Sequence, residues 1–388
     1  MAEEALLEEQ RRALNHPPLT DWTPLTAFDE PSERFYQEGV KQISSGKVGC
    51  VVLAGGEGSR LGYSIPKALV PITPIRKKTL LQFICEKVQA ASKAYGCELE
   101  LAIMTSPANH KTIENYLRDN HFFGLKNVQL FTQDTVPFLN EEKNWFHDAS
   151  GHIVAGPDGN GNVLKKLVQT GIAKKWKGKG IEMVTVITID NPLANPFDAT
   201  LCGYHAIESH EISFKAVRHI DPNEKIGILA LRGGNTVVIS YILNTFPCDA
   251  PLAYTDQLCF KMAFLEKPLD LPWCPEWKKH DHQKVWKFEK KLFDTLLFSS
   301  STGVLLFPRE DILANLRRKV GPDSFETVHT ALLDFDKRLM GKLLGTPIPD
   351  RPFELDPAFY YPTQQLVSLW RGKTFPMTDY IDSDNNQS

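Results

Sequence analysis

The chain has 388 residues, 42% hydrophobic and 23% charged, which is ordinary for a globular protein large enough to bury a sizeable core. A formal charge of −3 argues against a general nucleic-acid binder, which carries a clear basic excess. No apolar run is long enough to span a membrane, and the acidic start, Met1-Ala2-Glu3-Glu4-Ala5-Leu6-Leu7, is unlike a secretory signal. Seven scattered cysteines without a CxxC pair point to reduced thiols in a cytoplasmic protein rather than to zinc or a disulfide framework.

Residues 1–46 read as helices broken by Pro17, Pro18, Pro24 and Pro31. From residue 47 the pattern alternates. Val51-Val52-Leu53 reads as a buried strand, and a helix is predicted from Leu80 to Tyr95. A strand from Leu99 to Met104, a helix from Asn109 to Asn120 and a strand from Val128 to Phe131 follow. Gly161 to Lys175 reads as a helix with Leu164, Leu167, Val168 and Ile172 on one face, and Met183 to Ile189 as a strand ending at Asp190. Strands alternating with helices predict an α/β fold, a three-layer α/β/α sandwich around a mostly parallel sheet. Beyond Asp190, Phe214 to Val217, Ile226 to Leu231 and Thr236 to Tyr241 are candidate strands that can pair antiparallel. Pro268 to Trp277 reads as irregular, Leu296 to Phe307 holds another strand, and Ile312 to Lys319 and Glu326 to Leu344 read as helices. The expected division is a helical segment 1–46, a main α/β domain 47–310 and a helical extension 311–388 with a frayed end.

The most specific stretch is Leu53-Ala54-Gly55-Gly56-Glu57-Gly58-Ser59-Arg60-Leu61-Gly62, followed by Pro66-Lys67. Glycines allow positive φ and close backbone approach, and a curved row of N–H groups makes an anion nest. Arg60 and Lys67 add fixed positive charge where a polyphosphate would lie. A P-loop is excluded because Gly58 is followed by Ser-Arg, not Lys-Ser/Thr. A dinucleotide fingerprint is weak because the third glycine is misplaced and Lys77, Lys78 and Thr79 stand where the ribose carboxylate belongs. Open α/β sheets bind ligands at the carboxyl ends of their strands. The glycine loop, Thr105-Ser106, Gln133 and Asp190 each follow a predicted strand, so they are expected to form one rim.

The loop with its Pro-Lys resembles the signature of sugar-phosphate nucleotidyltransferases, and of the eukaryotic-type UDP-sugar pyrophosphorylases among them. Asn120-His121-Phe122-Phe123-Gly124-Leu125, Gly156-Pro157-Asp158-Gly159-Asn160-Gly161, Ile189-Asp190-Asn191, Glu224-Lys225-Ile226-Gly227 and Trp286-Lys287-Phe288-Glu289 are similar to the UDP-N-acetylglucosamine pyrophosphorylase branch. The similarity runs from about residue 48 to about residue 335.

The resemblance implies a Rossmann-like catalytic domain and attack by a sugar-1-phosphate on the α-phosphorus of UTP, giving a UDP-sugar and pyrophosphate. It gives catalytic roles to Arg60 (β and γ phosphates), Lys67 (α-phosphate) and Lys287 (a second phosphate lysine). It assigns the nucleotide to Leu53, Ala54, Gly55, Gly56, Gly58, Gln133 and Gly159, and the sugar to Asn160, Gly227 and Gln257. Asp190 would hold Mg²⁺ or Mn²⁺; a carboxylate ending an apolar strand is costly without a cation, and one carboxylate beside a triphosphate suits Mg²⁺. Asn191 is expected to support the loop, and a solvated basic helix is the alternative for the lysines around Lys287.

The sugar half departs from that branch. Ile239-Ser240-Tyr241 lacks its glutamate, Tyr254-Thr255-Asp256-Gln257 stands for its Asn-Ala-Gly-Asn, Arg218 replaces an acidic residue, and Asp134 replaces a glycine after Gln133. N-acetylglucosamine-1-phosphate is the first expectation for the acceptor and glucose-1-phosphate the second. A non-catalytic nucleotide-sugar binder is the competing class.

Overall fold

The computed structural model describes residues 2–15, 21–221, 223–239, 251–280 and 282–384. Ser240, Tyr241 and Cys248, on which sequence expectations fall, lie outside the described residues.

A ten-stranded sheet forms the centre. One half of it is parallel: Met183–Thr188, Val48–Leu53, Glu100–Thr105 and Val128–Thr132 lie side by side in that order. The chain builds outward from Val48–Leu53 through the next two strands. It then returns to the other side with Met183–Thr188, creating a topological switch point beside Leu53. Strand alternation sends Cys50, Val52, Leu101 and Ile103 into one core cluster and Val51, Leu53, Ala102 and Met104 into the other. Both faces are therefore covered, as the three-layer expectation requires.

The other half is mostly antiparallel, with Thr302–Leu306 parallel to Ile212–Arg218. Leu252–Lys261 pairs with Met183–Thr188 and with Ile212–Arg218. Ile228–Arg232 pairs with Asn235–Ile239 and also with a strand the sequence did not signal, Thr23–Pro24. The helix Glu33–Ser44 crosses Ala199–Glu208 so closely that a Cβ on Gly39 would stand 1.7 Å from the Ala199 carbonyl oxygen.

Helix Leu80–Tyr95 has the predicted limits because Thr79 caps it, accepting from the Gln82 N–H, and Gly96 ends it at φ +67°. Three sequence expectations are corrected. Gly161 to Lys175 is two helices, Val163–Gln169 and Ile172–Gly178, split by Gly171 at φ +78°, and Val168 is exposed. The stretch expected as irregular or as a basic helix contains the hairpin Cys274–His280/Gln283–Glu289, whose Trp277 and Trp286 rings stack at 3.7 Å. Ile312 to Lys319 is not a helix: a single turn, Arg309–Ile312, precedes irregular chain. Leu316 N–H donates to Asp190 O (2.7 Å), and two further backbone groups bond to buried side chains from the sheet rim. Asn191 Nδ2 donates to Ile312 O (2.7 Å), Ala314 N–H to Asn191 Oδ1 (3.0 Å) and Gln257 Nε2 to Ile312 O (2.9 Å). Among the described residues, no helix is long and apolar enough to cross a membrane.

Candidate active site

Strand register levels the four expected positions. Leu53 is paired with Met104 and Thr188, and Thr105 with Thr132, so the loops leaving these strands emerge on one rim. Asn109 stitches two of them, with Nδ2 donating to Ala54 O (3.1 Å) and Oδ1 accepting from Ser106 N–H (2.8 Å). Leu53 O accepts from Ile189 N–H at 3.1 Å, which ties the glycine loop to the Asp190 turn.

The glycine loop closes on itself: Lys67 N–H donates to Gly56 O and Gly58 N–H to Ile65 O, both at 3.1 Å. This refines the anion-nest expectation, because the Gly58 amide is already bonded. The Gly55 and Gly56 amides have no partner among the described residues. Only Gly62 of this loop has positive φ. Gly55 answers to close approach instead, since a Cβ there would stand 2.6 Å from Gln133 Oε1. Gln133 is itself buried, its N–H bonded to Thr105 O at 2.9 Å. The departure at Asp134 is accommodated by an ion pair with Lys166 at 2.6 Å.

Arg60 is exposed on the short turn Ser59–Leu61, with no carboxylate partner among the described residues. Lys67 Nζ faces Asp190 Oδ2 at 3.6 Å. Arg317 Nε faces the same oxygen at 3.8 Å, and Arg317 Nη2 faces Asp256 Oδ2 at 3.9 Å. Burial would raise the Asp190 pKa, but Lys67 and Arg317 hold its carboxyl below the ordinary value. Asp256 is pushed up to about 6, by burial first, with Asp190 adding to the rise and Arg317 opposing it. The result is a ladder of alternating charge, Lys67–Asp190–Arg317–Asp256, with every gap longer than a hydrogen bond.

Gly159 (φ +91°) packs so tightly on the chain after the hairpin that a Cβ would stand 2.4 Å from Lys290 O. Asn160 Oδ1 accepts from Leu292 N–H at 2.9 Å. Lys287 lies on the hairpin and pairs with Glu289 at 2.5 Å. Gly227 leaves room for Val238, whose Cγ1 would meet a Cβ at 2.5 Å. The Gln257 amide donor is committed to Ile312, which makes it a support for the 312–317 segment. Asn191 is buried and braces its own loop, as expected.

The family described as UTP–glucose-1-phosphate uridylyltransferase matches residues 12–242. The chain belongs to this family. A UDP-N-acetylglucosamine diphosphorylase 2 of Arabidopsis thaliana is 28% identical over 388 aligned positions, covering 89% of this chain and 77% of the relative. A human UDP-N-acetylhexosamine pyrophosphorylase-like protein 1 is 29% identical, covering 92% and 81%. Among solved structures, a Trypanosoma brucei uridine diphosphate N-acetylglucosamine pyrophosphorylase bound to an inhibitor superposes with a TM-score of 0.80 at 21% identity, covering 94% of this chain and 85% of that one. A Leishmania major UDP-glucose pyrophosphorylase mutant bound to UDP-glucose gives 0.66 at 16% identity, covering 80% and 72%. These likenesses establish the fold.

For this uridylyltransferase, sequence reasoning missed Arg317 and Asp256. Arg317 sits in Arg317-Arg318-Lys319, a basic run that was read as the end of a helix. Asp256 occupies the bulge between Tyr254 and Leu258 at φ +56°, a conformation glycine adopts without strain. Among the described residues, no cluster of three or more His, Cys, Asp or Glu forms a metal cage. Two carboxylates on one rim do fit a Mg²⁺-type ion, which takes one or two carboxylates and leaves its other positions to phosphate oxygens and water.

Proposed function

We propose that this uridylyltransferase transfers the uridylyl group of UTP to N-acetylglucosamine-1-phosphate. The acceptor's phosphate oxygen bonds to the α-phosphorus, the bond to the β-bridging oxygen breaks, and pyrophosphate leaves. One observation carries the reading: the free Gly55 and Gly56 amides, Arg60, Lys67 and Asp190 share one strand-end rim at the switch point. Nucleotidyl transfer depends on positioning and charge neutralisation rather than on a protein nucleophile, and this rim supplies cations and amides without one.

Lys67 would stabilise negative charge growing on the α-phosphate, and Arg60 the departing pyrophosphate. Gln133, set against Gly55, would read the uracil edge. Asp190, with Asp256 beside it, would hold a divalent ion, which supplies further neutralisation of the phosphates when bound. Two features favour N-acetylglucosamine-1-phosphate: the motifs from Asn120 to Glu289 and the similarity, at 28% identity, to the Arabidopsis UDP-N-acetylglucosamine diphosphorylase 2. Glucose-1-phosphate is the second reading, because Tyr254-Thr255-Asp256-Gln257 lacks the Asn-Ala-Gly-Asn of the N-acetylglucosamine branch and lost polar partners change which sugar hydroxyls can be bonded. A panel of sugar-1-phosphates with UTP and Mg²⁺, followed by pyrophosphate release, tests both. The expected result is the highest kcat/KM with N-acetylglucosamine-1-phosphate. Binding of UTP without turnover on any sugar phosphate would point to the non-catalytic class.

A further inference from the structure

Lys87 lies on helix Leu80–Tyr95 and is only 1% exposed. A buried lysine is costly unless its N–H groups are bonded, and here they go to one short stretch of chain. Nζ donates to Pro192 O at 2.6 Å and to Ala194 O at 3.2 Å. It also stands over the rings of Phe83 and Tyr360, at 4.6 and 4.5 Å from their centroids. Pro192 and Ala194 belong to the turn that follows Asp190. Ala194 N–H closes that turn on Asn191 O at 3.0 Å, and Leu193 N–H donates to Asn191 Oδ1 at 3.2 Å. Asp190 O accepts from Leu316 N–H, so one side of the turn is tied to the segment that carries Arg317. Lys87 ties the other side to the helix. Asn191 to Ala194 are all buried, so removing Nζ would leave two carbonyls unpaired.

The C-terminal extension completes the mount. Tyr361 O–H donates to Asn195 Oδ1, and Tyr360 O–H donates to Asp336 Oδ1 (2.9 Å) while its ring covers Lys87 Nζ. Asp336 Oδ2 in turn accepts from Leu355 N–H at 2.9 Å. A cavity of about 220 Å³, lined by Leu193, Asn195, Ile312 and Tyr360 among others, adjoins the same turn. With open space on that side, polar tethers rather than close packing fix where the turn sits.

We propose that Lys87 is a positioning residue for Asp190, and that Tyr360 and Tyr361 share the task by backing Lys87 and Asn195. The inference rests on the reading above in which Asp190 holds a divalent ion. It makes the chain around Tyr360 part of the mount of the site rather than an appendage to the sheet.

Hydrogen–deuterium exchange on the metal-free protein tests the hold on the turn. Mn²⁺ titration with UTP present, followed by electron paramagnetic resonance, tests its consequence. Lys87→Met keeps the length of the side chain and removes its donors. The Leu193 and Ala194 amides should then exchange about tenfold faster or more, and Mn²⁺ should bind about five- to tenfold more weakly, the scale of a lost bond to a charged group. UTP binding measured in EDTA should stay within about twofold, since the glycine loop is untouched. Lys87→Arg should recover part of the loss. Tyr361→Phe, which removes one hydroxyl, should shift both readouts in the same direction by less, and it carries the test if Lys87→Met does not fold. Gly96→Ala is the control: it strains the left-handed residue that ends the same helix, touches nothing else, and should move neither readout. Lys87→Met leaving either readout unchanged overturns the proposal, and so does an equal shift in Gly96→Ala, which would mark general loosening. Full Mn²⁺ binding in Asp190→Asn would instead overturn the reading on which the proposal rests.

Discussion

Lys67 Nζ stands 3.6 Å from Asp190 Oδ2, near enough for each charge to stabilise the other and too far for a direct hydrogen bond. The two side chains come from different crossovers of the parallel sheet and meet only because their strands, Val48–Leu53 and Met183–Thr188, are neighbours. A phosphate entering between them can take over Lys67 while Asp190 turns to a cation. Lys67→Ala is therefore expected to lower kcat by about 100- to 1000-fold, as for loss of other preorganised groups that stabilise transition-state charge. Thermal unfolding should barely move. Near-normal turnover in that variant would remove Lys67 from the mechanism.

The glycine loop makes a sharper prediction about the nucleobase. A methyl group on Gly55 would fall 2.6 Å from Gln133 Oε1, and Gln133 has little room to retreat because it is buried. Gly55→Ala should raise the KM for UTP about tenfold or more with a small change in stability. Gln133→Ala should raise it similarly, and the double variant should cost less than the product of the two, since both act on one contact. Fully multiplicative effects would show that the two residues work separately.

The rim was legible in the sequence because its signals are local. An apolar strand that runs into Gly55-Gly56, and another that stops at Asp190, mark their own exits without knowledge of the rest of the chain. Helix Leu80–Tyr95 was equally legible because Thr79 and Gly96 punctuate it. Arg317 and the hairpin were not legible because distant partners decide them. Irregular chain around Arg317 is stabilised by Asn191 and Gln257, which lie far away in sequence. The hairpin depends on a cross-strand tryptophan stack and on Leu139. Asp256 was in view as a departure from the resembling motif, but the bulge that aims it at Arg317 exists only once the strand pairs with Ile212–Arg218.

Acid stability should report on Glu289. Burial alone would raise its pKa, yet Lys291 and Lys287 bring it down to about 2. A carboxylate with a folded pKa below its unfolded value contributes stability above the unfolded pKa and loses it as pH falls through the folded one. The window here is from about 4.5 down to about 2, and the contribution is roughly 3 kcal/mol at most. Glu289→Gln should flatten the fall in stability across that window and lower stability at neutral pH. Parallel acid-unfolding curves for the two proteins would contradict this.

The crossing of Glu33–Ser44 on Ala199–Glu208 ties the N-terminal segment to the main sheet. A Cβ at Gly203 would stand 1.8 Å from Phe35 O, and one at Gly39 would stand 1.7 Å from Ala199 O. The helices can accept neither without separating. Gly39→Ala should destabilise by about 1–3 kcal/mol, the usual cost of overpacking. It should leave KM values unchanged, because neither helix supplies a residue of the rim. Chemical denaturation with steady-state kinetics checks both halves of the expectation. An unchanged midpoint would mean that the two helices pack more loosely than these contacts require.

Arg317 offers the most stringent test of the charge ladder because it touches both of its carboxylates. Removing it leaves Asp190 and Asp256 facing each other with one cation fewer, and like charges that share a site raise one another's pKa. Arg317→Ala should therefore lower kcat and lower the Mg²⁺ concentration needed for half-maximal rate, since the ion no longer competes with a guanidinium for two repelling carboxylates. Arg317→Lys should recover part of the loss, because a lysine keeps the charge but cannot face two carboxylates with one planar fork. Asp256→Asn in the Arg317→Ala background should cost less than it does alone, with a coupling energy of about 0.5–3 kcal/mol for residues in one network. Strict additivity, or an unchanged Mg²⁺ requirement in Arg317→Ala, would show that Asp190 works without the other two residues.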